Sequence, residues 1–337
     1  MSSGPDSNTV LVAGATGFIG CKLVDALYVR KRTICALARD ISKIRSLWPQ
    51  SDIAGHGGDI ANAETLKDVC AGVHTVFHLA SYAEEVQVDE TEDPHWRVTM
   101  EGTRHLLEAA VHSGVKRFIY VSSVKAMGEG GESCLDESSP AAPVSSYGRA
   151  KLEAERLVLE AGKKHGMLVC NLRLPLVYGR DNRGNTWRMI AAIDRGQFPP
   201  LPETGNKRSM VHVDDVIQAL WLVAENPASH GQTYIVTDGR IYSTHQIYVA
   251  IHKALGRPLP RWDIPIGLLR MAARIGDAIG RIRGRSFVFD SGVLNKLTGS
   301  ACYSCEKIKM ELGYRPTRFL EDGLREMTDE YKKSAGS

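Results

Sequence analysis

The chain has 337 residues, of which 43% are hydrophobic and 24% charged. This composition excludes a disordered or collagen-like protein and suffices for about two domains. The formal net charge of +3 is too small to indicate a nucleic-acid partner. The polar N-terminus and the absence of any apolar run of about 18 residues predict a cytoplasmic protein with no stable membrane insertion.

Short apolar runs alternate with helical patterns in the first half of the chain. Strands are predicted at 9–13, 33–38, 74–80, 116–122 and 168–172. Helices are predicted at 18–31, from about 42, and at 61–70, 92–112 and 146–165. This alternation is typical of parallel βαβ units, and near-continuous apolar strands indicate a sheet covered on both faces. We therefore expect an α/β fold with a Rossmann-type, doubly wound parallel sheet.

The alternation ends after Gly179. A helix at 186–195, a strand end and helix at 211–225 and a short strand at 233–236 precede a mostly helical C-terminal part. We expect three regions. These are a disordered N-terminus at 1–8, a Rossmann domain at 9–178, and a smaller, mainly substrate-binding lobe at 179–334 whose segments near 208–240 return to the Rossmann domain.

The cysteines and histidines show no ligand or disulfide pattern. Seven cysteines, an odd number, lie mostly far apart, which predicts no disulfide framework and a reducing compartment. Cys302 and Cys305 are expected to be ordinary thiols before a helix. The scattered histidines predict no metal site.

One later stretch is basic. Residues 253–285 contain eight lysines or arginines and two aspartates, and 266–282 has the pattern of an amphipathic helix. Such a helix either presents a solvated face or meets a membrane surface or an anionic ligand.

A glycine-rich turn follows the first predicted strand. Gly14, Gly17 and Gly20 lie between this strand and the next helix, which begins with Phe18 and Ile19. Glycines permit a tight turn and a close approach of the backbone to a pyrophosphate, and the helix N-terminus supplies free N–H groups. We predict that these five residues bind a dinucleotide.

The second strand ends in Arg39 and Asp40, about 20 residues beyond the glycine turn. An acidic residue here binds the ribose 2′-hydroxyl of NAD, whereas an arginine accommodates the 2′-phosphate of NADP. Arg39 directly ends the strand, so the sequence favours NADP(H), with NAD(H) as the alternative.

Tyr147 and Lys151 have i,i+4 spacing on a predicted helix and therefore share one face. A nearby ammonium lowers the pKa of a tyrosine from about 10 and makes it a general acid/base for carbinol–ketone interconversion. Ser122 and Ser123 end the strand before this helix, at the sheet edge where α/β folds bind ligands. We predict Ser123, Tyr147 and Lys151 as catalytic residues, with Tyr147 and Lys151 also contacting the cofactor.

Further motifs accompany the glycine turn and YGRAK. They are AGATGFIG (13–20), GGDI (57–60), FHLAS (77–81), GTRHLLEAA (102–110), VKRFIYVSS (115–123), LRLPLVYGRD (172–181), RSMVHVDDV (208–216) and LGYRP (312–316). Together they resemble the extended short-chain dehydrogenase/reductase superfamily, in its branch of NAD(P)-dependent sugar epimerases, dehydratases and reductases. The resemblance implies further cofactor-lining residues, namely Asp59, Ile60, Leu79, Ala80, Ser81 and Pro175.

The resemblance also implies substrate contacts. Arg208 matches an arginine that binds a nucleotide diphosphate, Asn185 roughly matches an asparagine near it, and Ser123 contacts the reacting oxygen. Lys125 contacts a substrate phosphate or hydroxyl, or is a solvent-exposed loop lysine. His212 and the aspartates after it are expected to cap a helix.

Departures from the family pattern reduce the number of reactions that the resemblance allows. Val124 and Lys125 stand where dehydratases carry an Asp-Glu pair, which argues against 4,6-dehydration. Two asparagines of the family pattern are replaced, one by Leu176 and the other by Thr99 or Met100. These replacements argue against the substrate orientation that galactose epimerases use.

The resemblance is strongest to bacterial UDP-N-acetylhexosamine 4-epimerases or 4-keto-reductases of surface-polysaccharide biosynthesis. It implies a UDP-sugar substrate and a homodimer formed through the helices at 92–112 and 146–165. The alternatives are a 3β-hydroxysteroid- or flavonoid-type dehydrogenase and, more remotely, a catalytically silent NADP-binding sensor.

Overall fold

A computed structural model describes residues 8–82, 93–131, 133–283 and 289–335 of the chain. Within these residues the strands are β1 Thr9–Ala13, β2 Thr33–Ala38, β3 Ala54–Gly57, β4 Thr75–His78, β5 Arg117–Ser123, β6 Leu168–Leu174, β7 Leu176–Tyr178, β8 Arg208–His212, β9 Gln232–Ile235 and β10 Ile241–Tyr242. The predicted disordered segment at 1–8 lies, except for Asn8, outside the described residues.

The α-helices of the described residues surround these strands. They are α1 Phe18–Val29, α2 Ile41–Leu47, α3 Gly102–His112, α4 Ser146–His165, α5 Asn185–Asp194, α6 Val213–Glu225, α7 Thr244–Leu255, α8 Ile266–Arg283, α9 Ser291–Thr298, α10 Glu306–Leu312 and α11 Leu320–Ala335. None of the described helices is long and apolar enough to cross a membrane.

Seven strands form one parallel sheet in the order β3-β2-β1-β4-β5-β6-β9. The strand order reverses between β1 and β4, so the connections after these two strands diverge to opposite faces of the sheet. Such a switch point leaves a crevice at the carboxyl ends of the strands, where α/β sheets bind ligands. The predicted Rossmann-type architecture is confirmed.

Helices cover both faces of the sheet, as the apolar strands predict. Leu23 and Leu27 of α1 and Leu220 of α6 are buried in the core on one face. On the other face, Leu106 of α3 and Val158 of α4 join a second core cluster. The sheet is thus buried on both sides, which explains why the central residues of β1, β4 and β5 are largely apolar.

A smaller sheet, in the order β10-β8-β7, is built from strands that come after β6 in the chain. Its Tyr178 and Met210 share a core cluster with side chains from α5, α7 and α11. The strand β9 instead pairs with β6 in the main sheet, so the chain crosses back between the two parts.

The predicted helix at 61–70 is wrong in extent. Only Ala63–Leu66 is helical, as a short 3₁₀ turn. The hydroxyl of Thr65 donates to the carbonyls of Asp59 and Asn62, and Asp68 has a φ of 61°. Side-chain hydrogen bonds to the local backbone therefore compete with a longer helix.

The expectation of no disulfide is also wrong. Cys134 and Cys302 form a disulfide across a sequence separation of 168 residues, with their Cα atoms 4.4 Å apart. An isolated bridge from Leu135 to Tyr303 also joins the two segments, and a second bridge from Arg208 to Ala301 ties the later segment to β8. Their contact arises from tertiary pairing, so cysteine spacing could not reveal it. Cys305 is free and buried, as expected.

Candidate active site

The glycine turn between β1 and α1 has a geometry that excludes side chains. Gly14 has a φ of 86°, and a Cβ atom there would lie 2.7 Å from the backbone nitrogen of Ala80. A Cβ atom at Gly20 would collide with the carbonyl oxygen of Gly14. The turn therefore packs against the end of β4 and against its own helix, as a dinucleotide-binding turn requires.

The first turn of α1 contains Phe18 and Ile19 and no acidic residue, and Gly17 caps the helix without a side-chain hydrogen bond. The first backbone N–H groups of a helix lack intrahelical acceptors and carry positive partial charge. These N–H groups and the close glycine backbone form a cradle that fits a pyrophosphate.

Arg39 and Asp40 have different environments after β2. Asp40 is the N-cap of α2, and its carboxylate accepts hydrogen bonds from the Ser42 N–H at 2.9 Å and the Ser42 hydroxyl at 2.6 Å. These bonds lower the pKa of Asp40. Arg39 is exposed next to it. The acidic alternative is thus engaged in helix capping, and the arginine is the side chain with free donors in the described structure.

The segments after β3 and β4 lie beside the glycine turn in the sheet. The N–H of Leu79 donates to the carbonyl of Ala13 at 2.9 Å, and the N–H of Gly58 donates to the carbonyl of Ala38 at 3.0 Å. These bonds place the predicted cofactor-lining residues along one edge of the sheet. Those residues are Asp59, Ile60, Leu79, Ala80 and Ser81.

Tyr147 and Lys151 lie in the first two turns of α4, which begins as predicted at Ser146. The hydroxyl of Ser145 caps the helix by accepting from the Gly148 N–H at 3.1 Å. A Cβ atom at Gly148 would collide with the carbonyl of Lys125, so this glycine lets α4 approach the end of β5 closely.

Lys151 is fully buried, an unusual position for a lysine. Its ammonium donates to the carbonyl of Val121 at 2.9 Å and lies 4.8 Å from the ring centroid of Tyr120 and 5.9 Å from that of Tyr147. Burial lowers the pKa of Lys151 from 10.5 to about 7, against the opposing effect of Glu155. A perturbed pKa in a cleft is typical of functional sites.

The two serines at the end of β5 point to different surroundings. Ser122 is buried and donates to Glu155 at 2.5 Å. Glu155 also accepts from Arg173 at 2.7 Å in a buried ion pair. Ser123 is partly exposed, and its hydroxyl accepts from the Lys125 N–H at 3.2 Å. Of the two serines, Ser123 is therefore the one that remains accessible to a ligand.

The Glu155–Arg173 pair was not predicted. Glu155 lies one helical turn after Lys151 on the same face of α4, a spacing that could have indicated it. An ion pair between two buried charges anchors α4 to β6 beneath the site, and removing either partner would leave an unpaired buried charge.

His95 is a second residue that sequence reasoning missed. Its ring centroid lies 5.5 Å from that of Tyr147 and 5.1 Å from that of Tyr82, both in edge-to-face contacts. The Nδ1 atom of His95 is buried and has no hydrogen-bond partner in the described residues. His95 lies outside every motif recognised in the sequence, so no local signal indicated it.

Lys125 and Arg208 lie near a shared acidic residue. Lys125 forms an ion pair with Glu129 at 2.5 Å, and the Glu129 charge also acts on the half-buried Arg208. The guanidinium of Arg208 donates to the carbonyls of Gly299 and Lys296. Because a guanidinium has five N–H donors, Arg208 keeps donors for an anionic ligand.

A cavity of about 330 Å³ lies at the end of α9, the region where the carbonyls of Lys296 and Gly299 accept from Arg208. Its lining comes from the loop before β8, the start of α8 and the end of α9: Pro202, Glu203, Thr204, Ile266, Arg270 and Thr298. The disulfide and the Leu135–Tyr303 bridge tie the loop after Lys125 to the strand segment that borders Arg208.

Three further residues named in the sequence analysis, Pro175, Asn185 and His212, lie around the candidate site. Pro175 follows Leu174, which pairs with Ser123, and so lies at the carboxyl edge of the sheet. Asn185 is exposed at the start of α5. His212 caps α6 by accepting from the Asp214 N–H at 3.2 Å, in agreement with the capping role expected for it. Within the described residues, no cluster of three or more metal-ligating side chains occurs.

Comparison with known proteins identifies the family. The sequence profile described as "NAD dependent epimerase/dehydratase family" matches residues 10–237. The chain is 29% identical to "UDP-glucose 4-epimerase" of Vibrio cholerae, covering 94% of both chains.

Two further relatives have different printed activities. The chain is 24% identical to "N-acetyl-alpha-D-glucosaminyl-diphospho-ditrans,octacis-undecaprenol 4-epimerase" of Escherichia coli O157:H7, over 94% of this chain and 93% of the relative. It is 26% identical to "3-beta-hydroxysteroid dehydrogenase" of Mycolicibacterium neoaurum, over 97% and 92%.

Among solved structures, "MoeE5 in complex with UDP-glucuronic acid and NAD" superposes with a TM-score of 0.74 at 26% identity, over 97% of this chain and 99% of that chain. The glycine cradle, the switch-point crevice and these matches agree, and the predicted resemblance is confirmed. The chain belongs to the NAD dependent epimerase/dehydratase family, within the extended short-chain dehydrogenases/reductases.

Proposed function

We propose that the protein moves a hydride at a carbinol carbon, C4, of a UDP-linked hexose, with residues 9–178 binding the cofactor and the lobe at 179–334 binding most of the substrate. The observation that carries this proposal is the pairing of Tyr147 with a fully buried Lys151 beside Ser123, at the carboxyl edge of the sheet that also carries the glycine cradle.

Each residue has a distinct role in this proposal. Tyr147 exchanges a proton with the sugar oxygen, and Ser123 donates a hydrogen bond to the same oxygen. Lys151 holds the ribose and favours the phenolate form of the tyrosine by its charge. The glycine turn and the N-terminus of α1 hold the pyrophosphate. A bound nicotinamide dinucleotide supplies or accepts the hydride.

The reaction is either a net reduction of a 4-keto sugar or an epimerisation. A reductase consumes its reduced cofactor, whereas an epimerase recycles the hydride. Turnover of UDP-hexoses and UDP-N-acetylhexosamines without added NADPH, and of UDP-4-keto sugars with NADPH, separates the two, because only reduction of a 4-keto sugar consumes NADPH in stoichiometric amounts. If the protein converts no UDP-sugar under either condition, the proposal fails.

We expect Arg39 to favour NADP over NAD. Asp40 caps α2, so the 2′-phosphate of NADP is the group that Arg39 can bind. Hydrogen bonds to charged groups contribute about 1.5–3 kcal/mol. Arg39→Ala is therefore expected to weaken NADP binding by roughly 10- to 100-fold and to leave NAD binding nearly unchanged. Fluorescence titration of both cofactors measures this, with the exposed Arg45→Ala as control. Equal losses for both cofactors would contradict the assignment.

We expect Arg208 to bind the diphosphate of the substrate. Arg208→Ala is expected to weaken UDP binding by about tenfold or more, since charge-assisted bonds to a phosphate are lost, while NADP binding persists. Calorimetric titration with UDP and with NADP measures both affinities. Arg208→Lys keeps the charge without the fork of donors and is expected to bind UDP at an intermediate level. Arg195→Ala, an exposed position at the end of α5, is the control.

A steroid- or flavonoid-type dehydrogenase reaction is the second candidate. The similarity to the Mycolicibacterium neoaurum relative favours it. The two candidate reactions predict different roles for Arg208, because a sterol has no diphosphate that this arginine could bind. Wild-type protein that has no measurable affinity for UDP but oxidises a 3β-hydroxysteroid would establish this second candidate.

A further inference from the structure

The helix α8 has two apolar faces, of which only one is covered. Leu269, Ala273 and Gly276 are buried, and Leu269 and Ala273 pack in a small core with Leu201 and Leu294. The opposite side carries large exposed apolar side chains, with exposed fractions of 52% for Leu268, 56% for Met271, 55% for Ile275 and 86% for Ile282.

The exposed side chains form one continuous stripe. Spacings of three, four and seven residues from Leu268 to Ile282 keep them on a single side of an α-helix. A helix on the surface of a globular protein normally presents polar residues on its outer side. Trp262, in the segment just before α8, is also exposed, at 63%.

Arginines border this stripe. Arg270, Arg274 and Arg281 follow one flank of the helix, and none of them forms an ion pair within the described parts of the chain. The one aspartate of α8, Asp277, accepts from the N–H of Ser291 at 3.0 Å and from its hydroxyl at 2.6 Å. The outer surface of α8 is therefore apolar at its centre and cationic at its border.

We propose that α8 docks the protein on an anionic phospholipid bilayer, lying in the plane of the membrane surface. An apolar stripe bordered by arginines matches the acyl boundary and the anionic headgroups of such a surface. A second copy of the chain is a poorer occupant, because α8 paired with α8 would bring unpaired arginines of both copies together.

Docking through α8 also has a consequence for the cavity near Arg208. Arg270 and Ile266, at the start of α8, line that cavity. A docked α8 therefore holds the cavity close to the lipid headgroups. The docking proposal does not depend on the reaction proposed above.

Co-sedimentation with vesicles tests the proposal on the full chain. We expect the protein to bind vesicles of equal parts phosphatidylcholine and phosphatidylglycerol, and to bind phosphatidylcholine vesicles much more weakly. Added salt should weaken the binding, because it screens the arginine charges. Absence of binding to the anionic vesicles, or equal binding to both kinds, would overturn the proposal.

Two double variants locate the surface without touching the cavity. Met271→Ser with Ile275→Ser is expected to lower the vesicle partition coefficient by about tenfold or more. Arg274→Gln with Arg281→Gln is expected to lower it by about fivefold for each arginine. Met310→Ser, at an apolar position of α10 that is 78% exposed, is the matched control.

Circular dichroism and unchanged cofactor binding establish that the variants fold. Variants that fold and bind anionic vesicles like the wild type would show that α8 is not the docking surface. Analytical sedimentation tests the alternative that the stripe binds a second copy of the chain. Suppose that the wild type self-associates but does not bind vesicles, and that the Met271→Ser, Ile275→Ser variant no longer self-associates. The stripe is then an interface between copies, and the lipid proposal is wrong.

Discussion

Replacement of Tyr147 by phenylalanine is expected to lower kcat by about 10²–10⁴-fold, the contribution of a positioned acid/base group. Phenylalanine keeps the ring and its edge-to-face contact with His95 but removes the proton path. NADP binding is expected to persist, because the glycine cradle and Arg39 are unchanged. Steady-state kinetics with a UDP-sugar and a separate cofactor titration measure the two properties.

The exposed Tyr28→Phe on α1 is the matched control for this change. In the wild type, the rate of carbinol oxidation is expected to rise with pH as the phenolate becomes available, and Tyr147→Phe should abolish this rise. A Tyr147→Phe protein with near wild-type turnover would show that Tyr147 only packs against its neighbours, and the mechanism would be wrong.

Lys151→Met is expected to lower both kcat and cofactor affinity. The change removes the ammonium that favours the phenolate and, in the proposed mechanism, also a contact to the ribose. We expect kcat to fall by about 10²-fold or more and cofactor affinity by about tenfold. Lys163→Met, at an exposed position near the end of α4, is the control. Loss of turnover with unchanged cofactor affinity would contradict the ribose contact.

The same variant has an expected effect on the pH dependence of stability. Folding lowers the pKa of Lys151 from 10.5 to about 7. Between these values the unfolded chain binds a proton that the folded chain does not, so Lys151 makes the free energy of unfolding rise with pH. Below about pH 7 the penalty of the buried charge is fully present. Denaturant unfolding of the cofactor-free protein should show a smaller rise from pH 7 to 10 in Lys151→Met than in wild type.

Local patterns in the sequence are sufficient to predict most strands of the main sheet and to nominate most residues of the candidate site. The strands β1 and β2 and the helix α4 have the predicted bounds. Their signals lie within short windows, because apolar runs, a capping serine and a glycine turn act over a few residues. The candidate roles of Gly14, Gly17, Gly20, Arg39, Tyr147 and Lys151 all rest on such windows and stay predictions.

Other elements escaped sequence reasoning because their local signals are weak. The strand Ala54–Gly57 consists of AGHG, which has little β-propensity, and it forms because β2 offers a partner. The predicted helix at 61–70 is replaced by a short turn, since Thr65 bonds to nearby carbonyls.

Only the tertiary structure decided the features that join distant segments. Glu155 and Arg173 pair across α4 and β6, and the buried Ser122 donates to the same Glu155, whereas Ser123 stays partly exposed. Cys134 and Cys302 meet across 168 residues. The sequence by itself determined the fold class, the position of the glycine turn and the helix that carries Tyr147 and Lys151, because these depend on short-range backbone preferences. Which side chains are buried, paired or exposed depends on contacts between elements far apart in the chain, which no local window contains.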